Sequence, residues 1–208
     1  MSNTEELTTK KKVPLTIEIG NFGDSITTGR ETTLALGIST GKSYVPELCA
    51  GPEIHHAGGY ARSGYNSYRV YNGATRLTRP GGGDIDVAIW MTGTNDQSNS
   101  DMNERMDRYR TQKYIILGLD LVHAEHSLLS TIPPMIGWEA KVFEFNEWLA
   151  SIAYNNGFEF IDPWVDMRDA ATGEWLTGMA QSDGRHQTAA ATTILAAKYR
   201  AKVFEIMA

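Results

Sequence analysis

The regular alternation of strand-like and helix-like segments is the strongest constraint on how this chain folds. The apolar run at residues 85–91 predicts a buried strand. Apolar residues within 139–155 recur at spacings of three and four, as on one face of a helix. Strands that alternate with helices favour an α/β fold with a mostly parallel sheet. We further predict strands at residues 16–22, 127–131 and 158–161, and helices at residues 67–77, 102–122 and 189–207.

The segment between residues 29 and 65 has a different composition from these periodic segments. It is rich in Gly, Thr, Ser and His, and we predict loops with short helical pieces there. The chain shows no internal repeat and no linker. We therefore expect a flexible polar tail at residues 1–12, followed by a single domain at residues 13–208. A hydrophobic content of 41% is enough for one sizeable core.

Charge and hydropathy argue against several classes of protein. The formal net charge is −6, and the only basic run, Lys10 to Lys12, lies in the predicted tail, so no nucleic-acid partner is expected. No apolar run approaches the roughly 18–20 residues of a membrane span. The N-terminus lacks the apolar core of a signal peptide, which favours the cytoplasm. Cys49 is the only cysteine, so we expect a small buried side chain without an intrachain disulfide.

Two polar motifs directly follow predicted strands. Ser25 ends a Gly-Asp-Ser sequence after the first strand, and Asn95 lies in a Gly-Thr-Asn-Asp sequence after the strand at 85–91. Ligands of α/β sheets bind beyond the carboxyl ends of the strands. We therefore expect Ser25 and Asn95 to lie at the same edge of the sheet, where a site is formed.

A third motif supplies an acid and a base. Asp183 and His186 are three residues apart, so in a turn or helix the carboxylate reaches the imidazole Nδ1–H. Nε2 is then free to act as a general base for a serine such as Ser25. Each motif alone is ordinary turn chemistry, but together they indicate a hydrolytic site. An α/β-hydrolase would instead show Gly-x-Ser-x-Gly, with its acid and histidine far apart in sequence.

The three motifs resemble those of the SGNH (GDSL-like) hydrolase superfamily. Residues 22–25 are similar to its first block, residues 93–96 to its third and residues 183–186 to its last. The resemblance implies a flavodoxin-like fold, a three-layer α/β/α sandwich around a mostly parallel sheet. It also implies roles for four side chains: Ser25 as nucleophile, His186 as base, Asp183 as its orienting acid and Asn95 as an oxyanion donor.

The second block of the superfamily contributes a glycine N–H to the oxyanion hole, beside the Ser25 N–H. We assign this role to Gly64, with Gly58 or Gly59 as the competing choice. The chain departs from the superfamily pattern at two places. Ile26 stands where the family name has leucine, and Gln187 follows His186 where relatives often have proline. The second departure bears on where the last helix begins.

The resemblance implies a serine esterase that forms an acyl-enzyme and needs neither metal nor cofactor. Polar, glycine-rich loops favour a short acyl group, such as an acetyl ester on carbohydrate. The alternatives are a lipid-type or thioester hydrolase of the same superfamily, and a non-catalytic carbohydrate-binding module on this fold. The expected partner is a small-molecule or carbohydrate ester, and a homo-oligomer is compatible with the sequence.

Other polar and aromatic residues have plainer interpretations. Two histidine pairs suggest a metal, but they lack further ligands at suitable spacing, and loop or surface roles are favoured. Asp24 and Asp96 are expected to hold loops. One of the tryptophans, in the loop around Trp175, is a candidate to line the acyl or sugar pocket, although core packing is favoured for each. The histidines are His55, His56, His123 and His126, and the tryptophans are Trp138, Trp164 and Trp175.

Overall fold

The computed structural model describes residues 16–29, 33–35, 43–76, 85–98 and 107–208. The strands within these ranges are β1 (Ile17–Gly23), β2 (Thr33–Ala35), β3 (Ile54–Arg62), β4 (Val87–Met91), β5 (His126–Ser130) and β6 (Glu159–Ile161). The helices are α1 (Ser25–Thr28), α2 (Val45–Leu48), α3 (Ser67–Ala74), α4 (Thr94–Ser98), α5 (Arg108–Val122), α6 (Glu139–Asn156) and α7 (Ala189–Met207). The predicted tail at 1–12 lies outside the described residues.

The strands form one sheet in the order β2-β3-β1-β4-β5-β6. Neighbouring strands from β3 to β6 are parallel, and the short edge strand β2 pairs with β3 in the antiparallel direction. Helices pack on both faces, which confirms the predicted α/β sandwich with a mostly parallel sheet. The carboxyl ends of β1, β3 and β4 are adjacent at one edge.

Alternation along the strands divides the core into two layers. In β4, Val87 and Ile89 pack on the face covered by α7, whereas Ala88 and Trp90 pack on the opposite face. This second face carries helices α3, α5 and α6, and all of β4 is buried. A strand buried on both faces reads as a continuous apolar run. This explains why β4 is the clearest strand in the sequence.

The prediction of loops with short helical pieces at residues 29–65 was wrong for Ile54–Arg62. These residues form β3, a nine-residue strand beside β1. A β-carbon at Gly59 would lie 2.0 Å from the Asn21 carbonyl oxygen, so the close approach of β3 to β1 requires glycine there. The register shifts between Ile19 and Gly20, next to this contact. Glycine and histidine thus occupy strand positions and obscure the alternating pattern.

The long C-terminal helices agree closely with the sequence. Helix α6 ends at Asn156, and Gly157 follows it in the left-handed conformation with φ of 70°. Helix α7 spans Ala189–Met207 as predicted, and the Thr188 side chain caps its N-terminus. Helix α5 begins at Arg108, while residues 102–106 of the predicted helix lie outside the described residues. No helix within the described ranges is long and apolar enough to cross a membrane.

Candidate active site

Ser25 lies at the N-terminus of α1, directly after β1. The Asp24 carboxylate caps this single helical turn, because its Oδ1 accepts a hydrogen bond from the Ile26 N–H at 2.9 Å. Gly29 ends the turn in the left-handed conformation, with φ of 78°. Ser25 is only 5% exposed. A buried strand and a capped turn therefore fix the position of its hydroxyl.

Asp183 and His186 lie on one tight turn before α7. Asp183 Oδ1 accepts hydrogen bonds from the backbone N–H groups of Arg185 and His186, both at 3.1 Å. Its other oxygen, Oδ2, lies 2.7 Å from His186 Nδ1. Gly184 between them has φ of 67°, a conformation that favours glycine. The turn is thus organised by the carboxylate that also holds the imidazole.

The imidazole of His186 connects this turn to the first helix. His186 Nε2 lies 2.8 Å from Ser25 Oγ, although the two residues are 161 positions apart in the chain. The Asp183 carboxylate accepts a hydrogen bond from Nδ1–H, which leaves Nε2 as an acceptor for the serine hydroxyl. The structure therefore places a hydroxyl, an imidazole and a carboxylate in one hydrogen-bonded series.

The electrostatic setting keeps Asp183 negatively charged. Partial burial raises the pKa of Asp183, but the backbone N–H groups of Arg185 and His186 and the imidazole together outweigh burial. They lower this pKa from 3.8 to about 2. An ionised carboxylate beside Nδ1 stabilises the imidazolium that forms when Nε2 takes a proton. The acid is thus suited to orienting and stabilising the imidazole.

Asn95 brings the ends of three strands together. It lies on α4 after β4, and its Nδ2 donates to the Tyr65 carbonyl oxygen at 2.9 Å and to Asp24 Oδ2 at 3.4 Å. Tyr65 follows β3, and Asp24 follows β1. The predicted placement of Ser25 and Asn95 at the same edge of the sheet agrees with this contact between the segments that carry them.

Of the competing glycines, Gly58 and Gly59 lie within β3, whereas Gly64 lies after its end. Gly64 lies in the exposed turn after the strand, next to Tyr65, and has φ of 79°. Gly58 and Gly59 pair with Gly20 and Asn21 inside the sheet. Only the turn position is at the edge where Ser25 and Asn95 lie.

Asp96 joins α4 to two neighbouring helices. This buried carboxylate accepts hydrogen bonds from the backbone N–H of Ser67 at 3.0 Å, the Ser67 hydroxyl at 3.2 Å and the Thr111 hydroxyl at 2.9 Å. Burial raises the pKa of Asp96 above 3.8, against the opposing effect of these donors. These contacts, like the cap made by Asp24, agree with the expectation that both aspartates hold loops.

The loop between β5 and α6 packs against the Asp183–His186 turn, a contact that sequence analysis missed. The Ile136 N–H donates to the Gly184 carbonyl oxygen at 3.1 Å. A β-carbon at Gly184 would lie 2.7 Å from Ile136 Cδ1. Ile136 is nonetheless 65% exposed, so it presents an apolar surface beside the turn. An isolated isoleucine after two prolines carries no motif that would reveal this position.

The tryptophans are arranged mainly for packing. Trp164 is fully buried and donates from Nε1 to the Thr131 carbonyl oxygen at 3.1 Å. Trp175 packs edge-on against Trp164, with ring centroids 5.6 Å apart. Trp138 is half-buried at the start of α6, with Lys141 Nζ 4.4 Å from its ring centroid. These contacts agree with the favoured interpretation of core packing for Trp164 and Trp175.

The other histidines, considered above as metal ligands, and Cys49 are not part of this site. His55 Nδ1 is 2.6 Å from Glu18 Oε2, and His126 Nε2 is 3.8 Å from Glu125 Oε1. Among the residues that the structure describes, no group of three His, Cys, Asp or Glu side chains is arranged to hold a metal ion. Cys49 is half-buried against the core, where burial raises the pKa of its thiol to about 11. A neutral thiol is a weak nucleophile.

Comparison with known proteins identifies similar sequences and folds. The profile of the GDSL-like lipase/acylhydrolase family matches residues 22–194, whereas no curated protein sequence matches. Three solved structures are similar at low sequence identity. A GDSL-like lipase from Bacteroides thetaiotaomicron has 17% identity and a TM-score of 0.68, with 91% of this chain and 88% of that chain covered.

The other two structures bear the names of different activities. The carbohydrate acetylesterase Est24 from Sinorhizobium meliloti has 16% identity and a TM-score of 0.64, with 91% of this chain and 99% of that chain covered. A lipase/acylhydrolase from Enterococcus faecalis has 15% identity and a TM-score of 0.71, with 91% and 96% covered. At such identities the structural likeness establishes the fold alone.

Proposed function

Since the chain belongs to the GDSL-like lipase/acylhydrolase family, we propose that it is a serine esterase with Ser25 as its nucleophile. The observation that carries this proposal is the 2.8 Å separation between Ser25 Oγ and His186 Nε2. Asp183, 2.7 Å from Nδ1 of the same imidazole, completes the set of groups that a serine nucleophile needs. Binding alone requires no such arrangement, which argues against a non-catalytic carbohydrate-binding module.

The proposed reaction is a two-step acyl transfer. Ser25 Oγ attacks the ester carbonyl carbon while His186 Nε2 takes the hydroxyl proton. The tetrahedral intermediate collapses, the alcohol leaves with the proton from His186, and an acyl-enzyme remains. Water, deprotonated by the same imidazole, then attacks the acyl carbon. The bond to Ser25 Oγ breaks, the imidazolium returns the proton to Oγ, and the carboxylic acid leaves. Asp183 stays ionised throughout and stabilises the imidazolium, in keeping with its lowered pKa.

Three donors are proposed to stabilise the oxyanion: the Ser25 N–H, the Gly64 N–H and the Asn95 side-chain amide. The hydrogen bond from Asn95 to the Tyr65 carbonyl oxygen supports this grouping, because it connects α4 to the residue after Gly64. The position of Gly64 supports this grouping further, because its left-handed turn follows β3, the strand next to β1. Gly58 and Gly59 have the poorer claim because they pair inside the sheet.

We propose a short-chain carboxylic ester as the substrate, with an acetyl ester on carbohydrate as the first choice. The similarity to the carbohydrate acetylesterase from Sinorhizobium meliloti supports this choice. The similarity to the lipase/acylhydrolase from Enterococcus faecalis, together with the exposed Ile136 beside the Asp183–His186 turn, supports a lipid-type hydrolase as the second candidate.

The first test of the proposal is Ser25→Ala. This variant is expected to lose hydrolysis of p-nitrophenyl acetate while retaining the circular dichroism spectrum of the folded protein. Ser151→Ala, which alters an exposed serine on α6, serves as the matched control and should keep full activity. Activity of Ser25→Ala equal to that of the control would remove Ser25 from the site.

The second test separates the two candidate substrates. Rates are measured for p-nitrophenyl esters from acetyl to decanoyl, alongside acetylated oligosaccharides. A short-chain esterase should lose kcat/KM as the acyl chain lengthens and should release acetate from the sugars. A preference for decanoyl over acetyl would support the lipid-type hydrolase and contradict the first choice.

A further inference from the structure

Gln187 makes a second hydrogen bond between the two segments that carry Ser25 and His186. Its side chain is 2% exposed, and its Nε2 donates to the Ile26 carbonyl oxygen at 2.9 Å. Ile26 and Gln187 are each one residue beyond Ser25 and His186, and both pairs are separated by 161 positions. Two hydrogen bonds, one residue apart in register, therefore join α1 to the Asp183–His186 turn.

The shape of α1 explains why this carbonyl needs a partner. In a longer helix, the N–H four residues later would bond the Ile26 carbonyl oxygen. Here the helix ends after Thr28, and the Ile26 carbonyl oxygen accepts a hydrogen bond from a side chain, Gln187 Nε2. The Ile26 side chain is fully buried, and leaving a backbone acceptor unpaired in such a place costs free energy. The Gln187 amide gives this acceptor a donor from a segment 161 positions away in the chain.

The backbone that carries Gln187 is itself held firmly. The Gln181 N–H donates to the His186 carbonyl oxygen at 2.7 Å, and Gln181 Nε2 donates to the Gln187 carbonyl oxygen at 2.8 Å. The Thr188 N–H donates to the Met179 carbonyl oxygen at 2.9 Å. A movement of α1 relative to the backbone at residues 186–188 would stretch the hydrogen bond between Gln187 and Ile26. The Gln187 amide thus limits how far Ser25 can move away from His186.

We propose that Gln187 is a positioning residue that holds Ser25 and His186 within hydrogen-bond distance for the proton transfer. This inference rests on the proposed esterase function. Gln187 acts through the backbone of Ile26 and takes no part in the bonds that form or break. Reactions that depend on near-attack geometry are sensitive to such restraints, since a displacement of about 1 Å can lower a rate by on the order of 10²-fold.

The decisive experiment is Gln187→Met, which keeps the length of the side chain and removes the donor. We expect kcat for p-nitrophenyl acetate to fall about 10-fold to 10²-fold, while KM stays within about twofold of wild type. The rate at which a neutral phosphonate ester modifies Ser25 should fall by a similar factor, because that reaction also needs the base. Gln112→Met, on α5, is the matched control and should leave both rates unchanged.

The outcomes separate this inference from the proposed function. If Ser25→Ala remains active, the proposed function fails. If Ser25→Ala is inactive and Gln187→Met has wild-type kcat per folded molecule, only the positioning role is overturned, even if the denaturation midpoint is lower. If Gln187→Met does not fold, Gln187→Asn provides the same test. It keeps an amide, but the shorter side chain does not reach the Ile26 carbonyl. Wild-type kcat in that variant would likewise overturn the role.

Discussion

At the scale of single residues, the Asn95 amide both connects neighbouring segments and is the proposed oxyanion donor. Both hydrogens of its amide nitrogen have acceptors, the Tyr65 carbonyl oxygen at 2.9 Å and Asp24 Oδ2 at 3.4 Å. A bond of 3.4 Å is weak, so under the proposed mechanism the hydrogen that faces Asp24 is the one more easily given to an oxyanion. In the proposed reaction, the shorter bond to the Tyr65 carbonyl oxygen keeps the amide in place. Under this proposal, one hydrogen of Asn95 Nδ2 holds the side chain in place and the other is offered to the oxyanion.

The prediction for Asn95→Ala follows from this arrangement. We expect kcat for p-nitrophenyl acetate to fall by on the order of 10²–10³-fold, as for removal of an oxyanion donor. Asn155→Ala, an exposed asparagine on α6, should retain wild-type kcat. A loss of less than about threefold, well short of what removal of an oxyanion donor costs, would exclude the oxyanion role for Asn95.

At the scale of elements, α5 packs unusually close to the sheet. A β-carbon at Gly118 would lie 2.1 Å from Trp90 Cη2, so the indole ring occupies the space that a larger side chain would need. Trp90 is fully buried and stacks on Phe22, with ring centroids 5.3 Å apart. Its Nε1 donates to the Thr92 hydroxyl at 2.9 Å, which connects the ring to the segment leading to Asn95.

We predict that Gly118→Ala lowers the free energy of unfolding, although helix propensity alone would raise it. Alanine in place of a helical glycine normally stabilises by roughly 0.5–1 kcal/mol. Here the new β-carbon must displace Trp90, and overpacking of this kind destabilises by about 1–3 kcal/mol. The measurement is the free energy of unfolding in urea, with Ser151→Ala on α6 as the control. An increase in stability would show that α5 moves away from the sheet at no cost.

Elements differed in how far the sequence determined them. Helix α6 was predictable because its apolar residues recur at spacings of three and four, and strand β4 because it is one continuous apolar run. Strand β3 was not, because it meets β1 through Gly58 and Gly59 and carries His55 and His56 at its start. Its existence depends on backbone pairing with β1, a tertiary contact that local composition does not encode.

The site shows the same division. Four residues lie in short motifs next to a strand or helix, so their grouping at one edge of the sheet was predictable: Ser25, Asn95, Asp183 and His186. Their catalytic roles remain a prediction. The contacts of Gln187 and Ile136 were not predictable, since they join residues that are far apart in sequence. The departure from the family pattern at Gln187 was the only signal available.

At the scale of the whole molecule, one buried carboxyl links stability to pH. Burial raises the pKa of Asp24 from 3.8 to about 7, and the nearby Asp96 carboxyl adds to this rise while the Ile26 N–H opposes it. Between these two values the folded protein holds a proton that the unfolded chain releases. The free energy of unfolding therefore loses a contribution as pH rises from about 4 to about 7.

Asp24→Asn tests this linkage. Because the amide does not titrate, the free energy of unfolding should depend less steeply on pH between about 4 and 7 in the variant than in wild type. Urea denaturation at a series of pH values gives the two slopes. Asp120→Asn, an exposed aspartate on α5, should reproduce the wild-type slope. Equal slopes for Asp24→Asn and wild type would mean that Asp24 is ionised throughout this range.

The placement of Asp183 and His186 on one turn has a consequence for folding order. Their contact is local, three residues apart, and can form as soon as the turn does. The contact between Ser25 and His186 must instead wait until the chain has closed a loop of 161 residues. Partly folded chains can therefore contain the Asp183–His186 pair before Ser25 has reached it. For the proposed esterase, recovery of activity would mark the completion of folding rather than the formation of its parts.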